Sequence, residues 1–403
     1  MLLLLLLPSL TLAEFLTPVL DHDDEASFPD LCQQDTVMSC HLVQVDIASL
    51  HKSTLVFNDT TLDFLDQPGT NTFTFSSEDG DEATFTVDTE LGAVWGHAQL
   101  ADGRDFVIEP NLDICNGCHV VIEEDIDAFP HDQSVTLPAY DVETRSNSAL
   151  TRSAALALLE KGKTDKTTLV TYTIKVYVTS ELKESTPDIR TVVEQLIATT
   201  NQGYINSKIP LRASLHCLEE ITDMSEDDFT NPALPRLDIF HQYRGGGNNL
   251  RGSADAAVLL VKHLDRICGT GYKNPLPWGV EFGMVSMTDL NCAVAGFTFA
   301  HEISHNFGND HDKYEKLNLN KPYSQGYHIK GTKFRTIMAY YRPRDKPRNR
   351  QQINYYSNPN VKIGKKKART GKKGKADAAR MITEVRFVIA ANGDESETCP
   401  NDQ

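Results

Sequence analysis

The stretch His301–Asp312, reading HEISHNFGNDHD, constrains this chain more than any other. Helical residues four apart lie on one face about 6 Å along the axis, so His301 and His305 can offer two imidazoles to one metal ion. H-E-x-x-H on a helix is the pattern in which both His bind zinc and the Glu, here Glu302, serves as general base. Gly308 supplies a position where the backbone takes positive φ without a Cβ clash, so the chain can leave the helix and swing back. His311 is then available as a third ligand. Three neutral nitrogens and one open position describe a catalytic zinc site rather than a closed structural one. Zinc held in this way lowers the pKa of water to about 7 and polarises a carbonyl, and Glu302 stands ready to take the proton. The implied reaction is hydrolysis of a peptide bond in a peptide or protein.

This stretch resembles the long metzincin form H-E-x-x-H-x-x-G-x-x-H, and Asp312 directly after the third His resembles the adamalysin/reprolysin branch. The resemblance implies a turn carrying a Met beneath the metal, and Thr336-Ile337-Met338-Ala339-Tyr340 fits it, 27 residues past His311. Tyr340 departs from the adamalysin pattern. Met-x-Tyr looks more like astacins and serralysins, where the Tyr can approach the zinc and stabilise the tetrahedral intermediate; the plainer reading is an aromatic packed in the lower half. Phe334–Tyr340 and Ile353–Val361 are also similar to secreted reprolysin-like enzymes of the peptidyl-Asp metalloendopeptidase type, a likeness covering roughly Cys268–Arg386. The fold implied is an α/β (α+β) metzincin domain: a twisted, mixed, mostly parallel sheet, a zinc helix and a small irregular lower subdomain, preceded by a β-rich prodomain. The resemblance also implies a Cys268–Cys292 disulfide and a preference for acidic residues in the substrate.

With 403 residues, 40 % of them apolar, the chain has ample material for two or three packed domains. Leu2–Leu7, continuing to Ala13, is too short to span a bilayer and ends with small residues, Thr11 and Ala13, at the spacing of a signal-peptidase site. Residues 1–13 therefore read as a secretory signal despite the absence of Lys or Arg before the apolar run, with a short anchor as the alternative. Secretion to the extracellular space and no stable membrane insertion are expected. Export makes the eight cysteines disulfide candidates, four early (Cys32, Cys40, Cys115, Cys118) and four late (Cys217, Cys268, Cys292, Cys399). Asn58-Asp59-Thr60 is an N-glycosylation sequon.

Charge divides the chain in the same place. Glu14–Leu150 holds 28 acidic and 3 basic residues, Thr151–Gln403 holds 28 acidic and 36 basic, and the whole carries −17. Opposite fields favour docking, so the acidic part reads as a cover for the basic part, or simply as a soluble acidic domain. The expected divisions are a propeptide over 14–163, a peptidase domain over 164–398 and a short tail over 399–403.

From His41 the early part alternates in period two, as in Thr72-Phe73-Thr74-Phe75 and Thr84-Phe85-Thr86-Val87, which predicts antiparallel strands. Gly92–Pro110 resembles the end of a reprolysin-type propeptide. Cys115-Asn116-Gly117-Cys118 carries two readings: a thiolate that silences the zinc, although the family's Cys-Gly motif is missing, or sulfurs spent in disulfides. Later, Leu169–Val178 predicts a strand; Thr186-Pro187 predicts a helix N-cap and first turn, with Ile189, Val193, Leu196 and Ile197 on its buried face. Leu211–Cys217 and Ala256–Val261 predict strands, the latter interior. Gly279–Met287 is expected as the edge strand above the cleft, where an extended substrate adds as a further strand, and Phe297–Phe307 as the zinc helix. Gly245-Gly246-Gly247 lacks the following Gly-Lys-Ser/Thr of a phosphate loop and reads as a mobile loop.

Lys362–Lys375 carries eight basic residues. Such a run suits the acidic propeptide, an extracellular polyanion, or a bare solvated loop; nucleic acid is not expected, since no aromatic is interleaved for base stacking. Beside the leading expectation of a secreted zinc endopeptidase made as a zymogen stands a secreted zinc- or matrix-binding protein with little proteolysis. Glu302 argues against it, because a binding module needs no base.

Overall fold

The computed structural model describes residues 16–18, 37–111, 118–124, 133–136, 150–273, 284–312, 321–340, 351–393 and 399, leaving out 52–53, 58–59, 70, 78, 187, 231–235, 244, 246, 265–266 and 366 within those spans. Two compact units divide the chain, Met1–Ala128 and Phe129–Gln403.

The first unit is a nine-stranded antiparallel sheet of β1 (Leu16–Pro18), β2 (Val37–Val45), β3 (Thr54–Phe57), β4 (Thr60–Gly69), β5 (Thr72–Ser76), β6 (Glu82–Asp88), β7 (Ala93–Gln99), β8 (Asp105–Pro110) and β9 (Cys118–Glu124). Their order is β1-β2-β9-β8-β7-β6-β5-β4-β3. The period-two text places alternate residues on opposite faces: Phe73 pairs with Phe85 and Phe75 with Ala83, all in one apolar core. The other face buries Thr72, Thr74, Thr84 and Thr86, whose hydroxyls pair across β5 and β6. Cys118 is fully buried, and both it and Cys40 are disulfide-bonded. An oxidised sulfur offers no thiolate, so Cys118 fits the plainer of its two readings. Cys115 and Asn58 lie outside the described residues.

The second unit is built on a six-stranded sheet ordered β10-β14-β15-β13-β11-β12, where β10 is Gln133–Thr136, β11 Val170–Thr179, β12 Leu211–Ile221, β13 Ala256–Val261, β14 Gly269–Lys273 and β15 Val285–Asp289. Only the β14–β15 pair is antiparallel among these strands. All six residues of β13 are fully buried, as a wholly apolar run in an interior strand should be. The expected edge strand is displaced: residues 279–283 lie outside the described set, and β15 is interior, between β13 and β14. The physical reason is that β14 turns back antiparallel on β15 and separates it from β10 at the sheet's edge, a strand that the sequence, Gly-Thr-Gly-Tyr-Lys, does not announce.

Helices flank the sheet: α1 (Arg152–Thr164), α2 (Ser180–Ser185), α3 (Ile189–Asn206), α4 (Arg236–Tyr243), α5 (Gly247–Arg251), α6 (Leu290–Ala295), α7 (Thr298–Asn306) and α8 (Ala378–Ile389). The predicted face of α3 is buried at Ile189, Val193, Leu196 and Ile197. Its N-cap, however, is Asp188, and Thr186 instead ends α2, whose own cap is Thr179 accepting from the Leu182 N–H. Of the glycine run, Gly245 makes a turn at φ 80° and Gly247 starts α5 rather than extending a loop.

α1 packs flush on α8. A Cβ at Gly162 would sit 2.0 Å from the Glu384 carbonyl oxygen, so glycine permits the contact. From α8 the fully buried Arg386 donates to the carbonyls of Thr168 and Asp165 and to the Asp165 carboxylate. Together these contacts lock the segment between α1 and β11 into the second unit. Beyond α7 the chain is mostly irregular, with short paired strands β16 (Phe334–Thr336), β17 (Gln351–Ile353), β18 (Lys362–Ile363) and β19 (Ala368–Arg369). Disulfides join Cys268 to Cys292 and Cys217 to Cys399. No helix among the described residues is long and apolar enough to cross a membrane.

Candidate metal centre

α7 is framed by two unusual backbone positions. Phe297 enters it at φ 52°, a left-handed conformation costly for a residue with a Cβ, and Gly308 leaves it at φ 85°, which only glycine adopts freely. That turn returns the chain so that His311 meets the two helical imidazoles. The Nε2 atom of His305 lies 3.1 Å from that of His301 and 2.9 Å from that of His311. All three rings are buried.

The far side of the rings settles their tautomers. The Nδ1 of His301 donates to the Ile337 carbonyl at 2.8 Å, and that of His305 to the Asn309 carbonyl at 3.0 Å. A carbonyl only accepts, so the protons sit on Nδ1 and the Nε2 lone pairs of His301 and His305 face inward. Protonating these rings is strongly disfavoured. Burial, then the charge of His305, pulls His301 down to about 3; burial pulls His305 down to about 4, with Lys273 adding to it. His311 is also well below its ordinary value, through burial and then the charges of His305 and His301. Neutral imidazoles with converging lone pairs repel one another unless a cation lies between them. Tetrahedral Zn–N bonds place ligand nitrogens about 3.3 Å apart, so this donor set fits zinc. A second group, His216, Cys217 and Cys399, is close-set among the described residues, but its two sulfurs are spent in a disulfide.

Glu302 is fully buried beneath β14. A Cβ at Gly269 would lie 2.8 Å from the Glu302 Cγ, and one at Gly271 would lie 2.6 Å from its carbonyl oxygen and 3.0 Å from its Oε2. The two glycines thus allow the strand to press flat on the turn of α7 that carries the carboxylate. Asn306, at the end of α7, donates to the carbonyls of Tyr272 and Val285 and fixes the helix against both strands.

Met338 is fully buried in the turn that supplies the Ile337 carbonyl. Gln352 donates to that same carbonyl at 2.7 Å, and Gly326 packs so closely that a Cβ there would sit 2.3 Å from the Met338 carbonyl. Tyr340 is partly buried; its ring centroid is 3.9 Å from that of His311, and it stacks at 5.8 Å on His301. Its backbone N–H donates to Asp312 Oδ2, which also accepts from His328 Nε2 at 3.1 Å. Lys273, at the end of β14, forms a buried ion pair with Asp310, the residue before His311.

Sequence reasoning missed Gly269, Gly271, Lys273, Asp310 and His328. Asp312 was singled out, but only as a family likeness. A polar pair at Asp310 and Asp312, flanking His311, was the available signal that buried partners for carboxylates were needed. The run Lys362–Lys375 forms two tight turns, the β18–β19 hairpin and a turn closed by the Lys372–Ala376 bridge, with Lys362, Lys365, Lys367, Arg369, Lys372, Lys373 and Lys375 exposed. Lys366 lies outside the described residues.

Residues 168–357 match a family model described as Metallo-peptidase family M12, of the Reprolysin_5 group. These residues are thus similar to a metzincin-like metallopeptidase domain. The chain is 29% identical over 211 residues to a peptidyl-Asp metalloendopeptidase of Stenotrophomonas maltophilia, covering 51% of this chain and 48% of that protein. It is 26% identical over 324 residues to one of Xanthomonas campestris, covering 77% and 68%, and 26% identical over 195 residues to one of Pseudomonas fragi, covering 48% and 98%. The chain spans about half the length of the Stenotrophomonas relative.

Proposed function

We propose that this chain is a secreted, zinc-dependent endopeptidase made as a zymogen. The observation that supports this reading is the convergence of three neutral imidazoles on one point beside the buried Glu302 carboxylate. His301, His305 and His311 would hold the ion, with the Ile337 and Asn309 carbonyls fixing two of the rings. Zinc supplies Lewis acidity toward the peptide carbonyl and toward water. Glu302 takes a proton from the attacking water and returns it to the leaving amine. An extended substrate takes the place of β10 along the side of β14 away from β15, where main-chain hydrogen bonds hold it and the two glycines keep its backbone close to the base. Tyr340 is the auxiliary group, its ring already seated against two ligand rings. The names of the relatives suggest a substrate with an acidic residue at the cut.

In this reading residues 1–13 are the signal, 14–163 the propeptide, 164–398 the peptidase and 399–403 a tail, and Asn58 is glycosylated. The exposed basic turns at Lys362–Lys375 contact an acidic surface, either the propeptide or an extracellular polyanion. Neutralising them should weaken heparin retention of the processed form, and unchanged elution would remove the polyanion from the reading. Glu302→Gln should keep about one zinc per chain by metal analysis while lowering peptide hydrolysis about a thousandfold. Activity surviving that change would take Glu302 out of the mechanism.

A further inference from the structure

Among the described residues, three that are not glycine sit at positive φ: Phe297, which enters α7, and two lysines, Lys208 at 57° and Lys367 at 48°. A Cβ makes that conformation costly. Lys208 follows α3, its N–H on the Ile205 carbonyl and that of Ile209 on the Tyr204 carbonyl, a helix ending in which glycine is the usual residue. Lys367 closes the β18–β19 hairpin with its N–H on the Gly364 carbonyl. Both side chains are exposed and fill no space in the fold. What the strain retains at these two positions is the charge.

The two lysines share one root. Asn358 donates through its side chain to the carbonyl of Ser207, beside Lys208, at 2.8 Å, and its own carbonyl accepts from the Thr370 hydroxyl at 2.9 Å. Thr370 is fully buried and directly follows the hairpin. A Cβ at Gly371 would lie 2.6 Å from both the Asn358 nitrogen and the Ala376 carbonyl oxygen, so the second turn, closed by the Lys372–Ala376 bridge, is drawn into the same knot. Three cationic prongs therefore leave one buried hub on fixed backbones: Lys208, the hairpin and the second turn.

What the prongs lack narrows the partner. Lys208, Lys362, Lys367, Lys372, Lys373 and Lys375 make no ion pair among the described residues, and 362–375 contains no acidic residue and no aromatic. Its apolar side chains, Ile363 and Ala368, are half-buried. A protein interface is anchored by aromatic and apolar side chains, a bilayer surface takes an inserted apolar face, and nucleic acid bases stack on aromatics. Charge alone is left to hold the partner, which suits a linear polyanion with repeated groups.

The geometry points to a binding site for a sulfated polysaccharide, carried by Lys208, Lys362, Lys367, Lys372, Lys373 and Lys375. This commits the basic turns of the reading above to one partner and adds a lysine from the end of α3. It stands on binding alone, whatever the chain hydrolyses.

The test uses the full chain at pH 7, whose net charge of −17 repels a polyanion unless a local site holds it. Heparin is the probe, and Kd is measured at low and at physiological salt beside urea denaturation. Lys208→Gly and Lys367→Gly, singly and together, remove cation and strain at once. They should raise the urea midpoint while weakening heparin binding, the pair by about tenfold. Lys163→Ala with Lys262→Ala removes the same charge elsewhere and should change Kd by less than about twofold. A full chain that heparin does not retain at low salt would overturn the inference and hand the turns to the chain's own acidic segment. Equal weakening by the control pair would also overturn it, as would a glycine pair that binds heparin unchanged or that lowers the urea midpoint. Polyglutamate or anionic vesicles bound as tightly as heparin would overturn the choice of partner.

Discussion

β13 and β14 belong to the same sheet, separated by one strand, yet they obey different rules. Ala-Ala-Val-Leu-Leu-Val of β13 is buried on both faces and is held by what its side chains fill. Gly-Thr-Gly-Tyr-Lys of β14 is defined by what two of its positions lack, because α7 occupies the space that Cβ atoms at 269 and 271 would take. The difference teaches that a strand pressed onto a helix turn gains proximity at the expense of strand propensity, while the strand beyond its neighbour supplies the apolar burial.

The sharpest way to break this contrast is Gly271→Val. Its side chain meets helix backbone, so β14 must lift off Glu302. We expect hydrolysis to fall about a thousandfold, comparable to losing the base itself, whereas Val258→Ala in β13 should cost about 2–3 kcal/mol of stability, read by urea denaturation, with kcat unchanged. Equal behaviour of the two variants would erase the distinction. Next, Lys273→Met leaves the buried Asp310 carboxylate without its cation and should destabilise the chain by about 3–5 kcal/mol; Lys273→Met combined with Asp310→Leu should recover much of that loss.

β15, lying between the two strands, ends at Asp289, whose carboxyl burial raises to about 6. A raised acid keeps its proton longer in the folded chain than in the unfolded one, so stability falls as pH rises from about 4 to about 6 and stays lower above that. The loss is at most about 3 kcal/mol. Asp289→Asn should flatten the profile over that window, and an unchanged slope would reassign the effect. The smallest expected effect is Tyr340→Phe, which keeps the ring against His301 and His311 and removes only the hydroxyl: kcat should drop about tenfold with KM little changed, and no change would leave Tyr340 as packing.

The same contrast explains what could be read from the sequence. β13 announces itself because burial on two faces writes an unbroken apolar run, and the alternation of β5 and β6 in the first unit does likewise for a half-apolar strand. The histidine positions on α7 were legible because their four-residue spacing puts both rings on one helix face. β14 was not, since its glycines answer to Glu302, some thirty residues later. β10, reading Gln-Ser-Val-Thr, is too short and too polar to announce a strand in the sequence, and it is defined by its pairing with β14. Thr186-Pro187 resembled a helix start, but Thr179 caps α2 and Thr186 closes it. The partners of Asp312 and Asp310 lie 16 residues ahead at His328 and 37 behind at Lys273. No local rule connects them.

The Cys268–Cys292 bond ties the residue immediately before β14 to α6, one short turn before α7, across 24 residues of sequence. Closing a loop of that size restricts the unfolded chain by about 3 kcal/mol, and the restriction falls on the two elements, β14 and α7, that pack together at Glu302. The oxidation state of the surroundings thereby sets how firmly strand and helix are joined: among reducing thiols the same polypeptide would keep its histidines but lose that brace, which in the peptidase reading proposed above would confine hydrolysis to an oxidising compartment.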